Sequence, residues 1–303
     1  MQHNDLHVLQ IYCIIDDFCK EISLKLNKKS ILTNDSKKHR NRECRLSLSE
    51  IMTILILFHL SSYRNFKHFY LLHICQAMRP AFPNLVSYNR MVELMRQALV
   101  PMALFIKLSC KDKLTGISFL DSTHLAVCHN KRILQNRVFR GLAERGKTTI
   151  GWFYGFKLHL IINEKGELLS FSISKGNIDD RNIDLLKPML KDVLGKIYAD
   201  KGYISQELFE VLFEDGKELI TKLRKNMKGR VTAYFDRLML RKRALIESVN
   251  DELKNICQIQ HTRHRSPINW LMNLLSGLAG YIFLPKKPAL KLDIELGKNL
   301  LLI

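Results

Sequence analysis

The spacing of apolar residues along the chain changes near residue 115. Before that point, apolar positions recur at intervals typical of helices, and polar turns separate the apolar segments. Ser87 is a candidate helix N-cap, because Val86 and Met91 on either side of it have the spacing of a hydrophobic staple. The pattern therefore predicts a helical N-terminal region. Its predicted helices cover residues 6–26, 47–60, 66–78 and a further segment that begins at Ser87.

Beyond residue 115 the pattern predicts strands and helices in the order β-β-β-α-β-α-β-α. A turn at 163–166 joins the second and third strands into a hairpin, and we expect the first three strands to be antiparallel. This order indicates an α/β fold with a mixed sheet flanked by helices. The predicted strands cover 117–127, 153–163, 168–174, 196–199 and 218–223. The predicted helices run from Asp180 or Asn182 to 193, over 205–214, over 236–257 and, as a buried helix, over 270–284.

The charge of the chain adds a candidate partner. Lys and Arg number 48 against 29 Asp and Glu, which gives a formal net charge of +19 over 303 residues. Such an excess favours a polyanion, because each phosphate that lysine or arginine neutralises releases condensed counterions. A basic protein without a nucleic-acid partner, or one that contacts acidic membrane, stays an alternative.

Cysteine usage and apolar stretches indicate the compartment. The seven cysteines are odd in number and include no CxxC pair, which disfavours a disulfide framework or a four-cysteine zinc site. The apolar stretches at 51–60 and 270–284 are shorter than the roughly 20 residues that a membrane span needs. We therefore expect a cytoplasmic protein with reduced thiols, no secretory signal and no membrane association.

Two aspartates occupy strand positions that suit a catalytic site. Asp121 lies within the first predicted strand of the sheet, and Asp200 ends the fourth. Ligand sites of α/β sheets form outside the carboxyl ends of strands, so an acid that ends a short apolar strand, as Asp200 does, is well placed for a site. Taken alone, either aspartate is better explained as a local turn former.

A glutamate on the long predicted helix is the third candidate. At about 100° per residue, Arg243 and Lys254 fall within roughly 40° of Glu247. Leu245 and Val249 lie toward the opposite side, so the helix can pack through them while the polar stripe faces a cleft. An ordinary solvated face with an ion pair between positions i and i+4 explains this helix at least as well.

The three acids together change the balance between these explanations. An acid in the first strand, an acid after the fourth and a glutamate on the helix after the fifth would meet at one rim of the sheet. Such a carboxylate cluster suits Mg²⁺ or Mn²⁺. Two ions about 3.5–4 Å apart can activate a water or a 3′-hydroxyl and stabilise the leaving oxygen at a phosphodiester.

The residues around these acids resemble the DDE transposases of bacterial insertion sequences. The motifs are Asp121-Ser122-Thr123, Tyr198-Ala199-Asp200-Lys201-Gly202-Tyr203 and Arg243-x3-Glu247-x6-Lys254. Within these transposases the chain is most similar to the type with a Tyr-Arg-Glu-Lys signature, although Leu240 stands where the signature has tyrosine. The resemblance covers roughly residues 115–285 and, more weakly, the helical N-terminal part.

The resemblance implies an RNase H-like catalytic core, catalysis with two Mg²⁺ or Mn²⁺ ions, and recognition of terminal inverted repeats. It implies that Asp121, Asp200 and Glu247 are the metal ligands and catalytic residues. It also implies that Arg243 and Lys254 hold DNA phosphates near the reacting end.

Further polar positions are candidates for binding DNA. Tyr88, Asn89 and Arg90 would begin the recognition helix of a helix-turn-helix unit, although a plain helical bundle explains this region equally well. The basic segments 131–147 and 224–230 are equally explained as solvated loops, and zinc binding by the histidines of 261–265 is the weaker alternative to phosphate binding. Asp179 and Asp180 are expected to cap the helix after them. The DNA-binding candidates besides Arg243 and Lys254 are Asn89, Arg90, Arg137, Arg140, Lys201, Arg263 and Arg265.

The sequence thus predicts a helical domain at 1–112, a catalytic core at 113–285 and a tail at 286–303. The predicted activity is cleavage at insertion-sequence ends and strand transfer of the 3′ ends into target DNA. An RNase H-like nuclease or resolvase without strand transfer, and a non-catalytic DNA-binding protein, are the alternatives. The expected partners are double-stranded DNA, as terminal inverted repeats and target, and a second copy in a homodimer at the bacterial nucleoid.

Overall fold

The computed structural model describes residues 2–30, 44–111, 113–149, 151–222, 233–260 and 264–290. These residues fall into two compact units, and each unit gathers segments that are distant in the chain. The first, the helical unit, holds the described residues of Met1–Ser109, Ala126–Gly141 and Glu252–Leu284. The second, the sheet unit, holds those of Cys110–Leu125, Leu142–Asp251 and Pro285–Ile303.

The N-terminal region is helical, as the spacing of its apolar residues predicts. Ser47 begins the second helix with a capping box, in which the Glu50 amide donates to the Ser47 hydroxyl and the Ser47 amide donates to the Glu50 carboxylate. Ser87 caps the fourth helix, as predicted. The α-helices are α1 (Gln2–Ser30), α2 (Leu48–Leu60), α3 (Phe66–His68), α4 (Tyr88–Leu94) and α5 (Leu99–Ser109), with a π-helix at Phe69–Ala77 and a 3₁₀ turn at Met95–Ala98.

Strands and helices alternate in the remainder of the described chain. The strands are β1 (Ile117–Cys128), β2 (Glu144–Lys147), β3 (Trp152–Asn163), β4 (Leu168–Lys175), β5 (Gly195–Ala199) and β6 (Lys217–Thr221). The helices are α6 (Ile183–Leu190), α7 (Gln206–Glu214), α8 (Tyr234–Lys242), α9 (Ala244–Asn255) and α10 (Pro267–Ile282), with 3₁₀ turns at Asn130–Arg132 and Lys201–Tyr203.

The strands form one mixed sheet in the order β2-β3-β1-β5-β6, with β4 also paired to β3. β1 and β5 are parallel, with Leu120 opposite Ala199, and β5 and β6 are parallel as well. β3 and β4 form the predicted antiparallel hairpin. A hairpin on one side of β1 and two parallel strands on the other are the arrangement of an RNase H-like sheet. The predicted fold class, with its helical N-terminal region, is confirmed.

Helices α6 and α7 pack on the sheet through their apolar residues. Leu186 and Leu190 of α6 and Leu208 of α7 are buried in one cluster with strand residues of β1, β3, β5 and β6. Each leucine buried in this way contributes roughly 1.5–3 kcal/mol of transfer free energy. This core fixes β1, which carries Asp121, and β5, which ends directly before Asp200.

Close approach of helices in the helical unit depends on two glycines of α10. A Cβ at Gly280 would lie 3.1 Å from the Cβ of His59 on α2, and a Cβ at Gly277 would lie 2.4 Å from Cγ2 of Ile259. His59 is buried, and its ring nitrogen Nδ1 hydrogen-bonds with the carbonyl of Cys257. Burial lowers the pKa of His59 to about 4, so the ring is neutral in the folded core.

The predicted single helix over 236–257 is wrong, because α8 ends at Lys242 and α9 begins at Ala244. The buried carboxylate of Asp236 fixes α8 to the sheet: it accepts from Lys196 Nζ at 2.8 and 3.0 Å and from the Tyr198 hydroxyl at 2.8 Å. α9 packs instead through apolar residues such as Ile246 and Val249. Arg243 lies at the junction between α8, which is held by polar bonds, and α9, which is held by apolar packing.

Two further sequence predictions need correction. The segment 131–147 is not wholly a loop, since its last four residues form β2 and pair with β3. Asn182 caps α6 by accepting from the Leu185 amide, so the expected capping by Asp179 and Asp180 is wrong. Asp179 pairs with Arg181 instead, and Asp180 pairs with Lys157.

No helix within the described ranges combines the length and the apolar character that crossing a membrane requires.

Candidate active site

The two candidate aspartates lie at the same edge of the sheet. Leu120 of β1 is opposite Ala199 of β5 in a parallel pair, and Asp121 and Asp200 are the next residues of the two strands. Asp200 directly follows the last residue of β5, where the strand gives way to a 3₁₀ turn. The hydrophobic pairing upstream thus brings two carboxylates that are 79 positions apart in sequence, from 121 to 200, to one place.

The guanidinium of Arg243 joins three carboxylates. Its Nη1 lies 3.7 Å from an oxygen of Asp121, and its Nη2 lies 3.8 Å from Asp200 and 2.7 Å from Glu247. Two strands and the α8–α9 junction therefore supply side chains to one cluster. We call these four residues the carboxylate cluster.

The members of the cluster differ in exposure. The side chains of Asp121 and Arg243 are 20% and 16% exposed, whereas those of Asp200 and Glu247 are 52% and 59% exposed. Asn250 of α9 adds a contact at the buried end, where its amide Nδ2 donates to Asp121 Oδ2 at 3.1 Å. The cluster is therefore closed at Asp121 and open to solvent at Glu247.

The pKa of Asp121 is raised to about 6, mainly because the side chain is buried, and the nearby carboxylates of Glu247 and Asp200 contribute to this rise. The positive charge of Arg243, followed by a hydrogen bond from the Ser122 amide, lowers the pKa and offsets part of this rise. A cation that approaches such a carboxyl group stabilises its ionised form. Perturbed groups of this kind are frequent at functional sites.

Tyr203 closes the inner side of the same turn. Its side chain is buried, whereas Lys201 two residues earlier is exposed. Burial raises the pKa of Tyr203 well above its usual range, and the charges of Asp180 and Asp121 add to that rise. The motif from Asp200 to Tyr203 thus places an acid at the cluster, a lysine in solvent and a neutral phenol in the interior.

The chemistry of the cluster suits a divalent cation. Its three carboxylates supply the hard oxygen ligands that Mg²⁺ and Mn²⁺ prefer, and the guanidinium already occupies the position of a cation among them. Among the described residues, no three His, Cys, Asp or Glu side chains are arranged to hold a metal ion.

The remaining candidates are distributed over both units. Lys254 lies on α9, two turns beyond Glu247, but its backbone belongs to the helical unit. The exposed residues of the helical unit among the candidates are Asn89, Arg90, Arg137, Arg140 and Arg265. Arg263 and the basic segment 224–230 lie outside the described residues. Arg90 pairs with Glu93 at 2.7 Å, and Arg140 donates to the Leu134 carbonyl at 3.3 Å.

Two residues near the cluster were not singled out from the sequence. Asn250 lies at i+3 from Glu247 and i+7 from Arg243, so its helical spacing was a usable signal for its contact with Asp121. Asp236, which anchors α8 to β5, carries no such signal, because its partners Lys196 and Tyr198 are about 40 positions away.

The fold and the site define a protein with an RNase H-like sheet and a carboxylate cluster at the sheet edge. Residues 111–267 match the family model described as the transposase DDE domain, and the chain belongs to this family. The matched residues include all four members of the carboxylate cluster and Asn250. The protein is therefore a DDE transposase.

Comparisons with solved structures and curated proteins add little to this assignment. The piggyBac transposase, in a synaptic complex with hairpin DNA, is 10% identical with a TM-score of 0.46 and is matched over 90% of this chain and 72% of its own. The Mos1 strand transfer complex is 11% identical with a TM-score of 0.22, over 86% of this chain and 84% of its own. No curated protein matches the chain. Because both TM-scores are low, the assignment rests on the family model.

Proposed function

We propose that this DDE transposase cleaves DNA at the ends of an insertion sequence and transfers the 3′ ends to target DNA, with Asp121, Asp200 and Glu247 as its catalytic carboxylates. One observation carries the proposal: a single guanidinium contacts all three acids, which come from two strands and a helix. Chain segments distant in sequence meet here, and their acids are the ones that the sequence motifs select.

The three carboxylates would hold Mg²⁺ or Mn²⁺, which when bound polarises a phosphodiester and the attacking oxygen. Asp121, at the closed end of the cluster, is the member held most firmly, because the Asn250 amide donates to it. Asp200 and Glu247 lie at the open end, where a DNA strand has access. The number of ions is proposed to be two, as phosphoryl transfer with symmetric attacking and leaving oxygens favours.

Arg243 has two roles in this proposal. In the absence of a metal its guanidinium balances the charge of the carboxylates, which otherwise repel one another. Once released from them, it lies next to the reacting centre and can donate to a DNA phosphate. Lys201, exposed directly after Asp200, is placed to contact the same strand.

DNA is the proposed partner, and the net charge of +19 supports it. The exposed basic residues of the helical unit, including Arg137, Arg140 and Arg265, would contact DNA outside the cluster, as would Asn89 and Arg90 at the start of α4. Lys254 and Arg263 complete the proposed set. Pairing of two element ends for transfer favours a homodimer, acting on chromosomal DNA at the bacterial nucleoid.

Joining of DNA ends tests the proposal. A duplex that carries the terminal repeat flanking the reading frame, with the strand to be transferred labelled at its 5′ end, is incubated with plasmid and Mg²⁺ or Mn²⁺. We expect covalent transfer of the label to the plasmid, and we expect Asp200→Asn and Glu247→Gln to lose it by at least a hundredfold. Glu214→Gln, which removes an exposed carboxylate at the end of α7, is the matched control and should retain activity.

Two results would contradict the proposal in different ways. Cleavage of the duplex without any transfer of the label would indicate a nuclease rather than a transposase reaction. Full activity in Asp200→Asn would show that the carboxylate cluster is not the catalytic centre.

A further inference from the structure

An exposed tryptophan lies at the end of the β2–β3 hairpin in the sheet unit. Trp152 is the first residue of β3, its side chain is 61% exposed, and it is paired in register with Lys147 of β2. The ring therefore presents a large, rigid apolar surface to solvent. The other tryptophan, Trp270, is buried in the helical unit.

The ring of Trp152 is accompanied by positive charge. Lys147 Nζ lies 5.7 Å from the ring centre, within the range of a cation–π contact. Arg145, two residues earlier on β2, is also exposed, and among the described residues no carboxylate lies within ion-pair distance of it. An aromatic surface and two cations thus face solvent along one short strand pair.

Trp152, Lys147 and Arg145 line a groove together with two glycines, Gly146 and Gly176. A Cβ at Gly146 would lie 2.2 Å from the Gly176 carbonyl oxygen, and one at Gly176 would lie 2.7 Å from the Glu144 carbonyl oxygen. The backbones therefore touch, and neither position accepts a side chain. The groove encloses about 430 Å³, a volume within the range of roughly 300–1,000 Å³ for small-molecule pockets.

The acids of the opposite wall are already neutralised. Asp179 accepts from Arg181 at 2.6 and 3.0 Å, and Asp180 accepts from Lys157 Nζ at 3.0 Å. The bond from Arg181 holds the pKa of Asp179 near 2, so this carboxylate stays charged and paired. Arg145 and Lys147 consequently leave the groove with a surplus of positive charge that suits an anion.

We propose that this groove binds one unpaired nucleotide of DNA, with its base stacked on Trp152 and its phosphate on Arg145 and Lys147. Stacking on a protein ring needs a base with an exposed face, which an intact duplex does not offer. Phosphate binding by the two cations supplies affinity without sequence preference. The inference rests on DNA as the proposed substrate of the transposase, but it does not depend on the carboxylate cluster.

Intrinsic fluorescence tests the groove directly, because Trp152 is the exposed one of the two tryptophans. The full-length protein, free of divalent metal, is titrated with a 12-nucleotide oligo-dT and with a duplex of the same length. We expect the unpaired strand to quench the emission and the duplex to quench it far less. Trp152→Ala should abolish the quenching and, by anisotropy of a labelled oligo-dT, weaken binding about tenfold, which is the order expected for loss of one stacked base.

Matched charge variants separate the groove from the general basic surface. Arg145→Gln together with Lys147→Gln should weaken oligo-dT binding, whereas Lys191→Gln, which removes an exposed charge beyond α6, should leave it unchanged. Equal quenching by the duplex would contradict the proposal, because it would show that the groove contacts duplex DNA rather than an unpaired nucleotide. Binding of oligo-dT by Trp152→Ala with unaltered affinity would overturn the inference.

The test is independent of the proposed catalytic function. Asp200→Asn should keep the fluorescence response to oligo-dT while it loses strand transfer. If Asp200→Asn keeps strand transfer, the proposed carboxylates fail while the groove stands. If Trp152→Ala binds oligo-dT like the unaltered protein, the groove proposal fails while the proposed carboxylates are unaffected.

Discussion

Asp121 and Arg243 set the electrostatics of the carboxylate cluster at the scale of single residues. Asp121 is held in a mostly buried position, where desolvation disfavours its charge, and Arg243 supplies the nearest compensating cation. Each residue constrains the other: without the guanidinium three acids would repel, and without the acids the guanidinium would be a partly buried, unpaired charge. The balance between them is measurable.

The pKa of Asp121 predicts a specific pH dependence of stability. Since its folded-state pKa of about 6 lies above the usual value of 3.8, the folded protein binds this proton more tightly than the unfolded chain does. The contribution of Asp121 to the free energy of unfolding is therefore fully present below about pH 4 and decreases as the pH rises to about 6. Asp121→Asn should raise the free energy of unfolding at pH 7.5 by at most about 3 kcal/mol, measured by urea denaturation without metal.

Substitutions of arginine test the cause of that pKa. Arg243→Gln should move the Asp121 titration to higher pH, because the guanidinium lowers the pKa of that carboxyl. Arg241→Gln, a matched loss of an exposed charge on α8, should not. An unaltered pH profile in both Asp121→Asn and Arg243→Gln would show that another group controls this part of the stability.

The residues of the site were predictable from the sequence only in part. Strand positions, helical spacing and motif spacing selected Asp121, Asp200, Glu247 and Arg243, which the structure brings together. The bond from Asn250 to Asp121 and the position of the guanidinium among the acids depend on how α9 meets the sheet. Helical spacing alone cannot predict that arrangement. It shows which residues share a face of the helix but not which other elements that face contacts.

At the scale of elements, the apolar patterns correctly predicted the strands whose conformation the local sequence determines. The strands β1, β3 and β4 are long and rich in β-forming residues, and the structure confirms them within one residue of the predicted ends. β2 is short and polar, and its strand conformation depends on pairing with β3 and on Gly146 packing against Gly176. The break at Arg243 depends on the bonds of Asp236 to Lys196 and Tyr198. Neither cause is visible in the local pattern.

The packing of α10 gives a prediction at this scale. Gly277→Ala would place a Cβ 2.4 Å from Ile259 Cγ2 and 3.2 Å from the Cys257 carbonyl oxygen. The expected loss is about 1–3 kcal/mol of unfolding free energy, despite the better helix propensity of alanine. Denaturant unfolding measures it, with Gly202→Ala as control, because a Cβ there meets nothing within 4 Å. A stability unchanged in Gly277→Ala would mean that α10 does not need this close contact.

At the scale of the whole molecule, each compact unit combines distant parts of the chain. The sheet unit supplies the carboxylate cluster and the groove at Trp152, whereas most of the other DNA-binding candidates lie in the helical unit. The net charge of +19 extends over the full sequence and favours a long polyanion over a small ligand. Family membership, the RNase H-like sheet and the charge thus agree on a protein that performs phosphoryl transfer on DNA.

The central claim is that Asp121, Asp200 and Glu247 together hold divalent metal. Calorimetric titration of the full-length protein with Mn²⁺ at pH 7.5 measures this without DNA or turnover. We predict saturable binding that Asp200→Asn and Glu247→Gln each weaken at least tenfold and that Glu214→Gln leaves unchanged. Equal Mn²⁺ affinity in the unaltered protein and in both cluster variants would contradict the account.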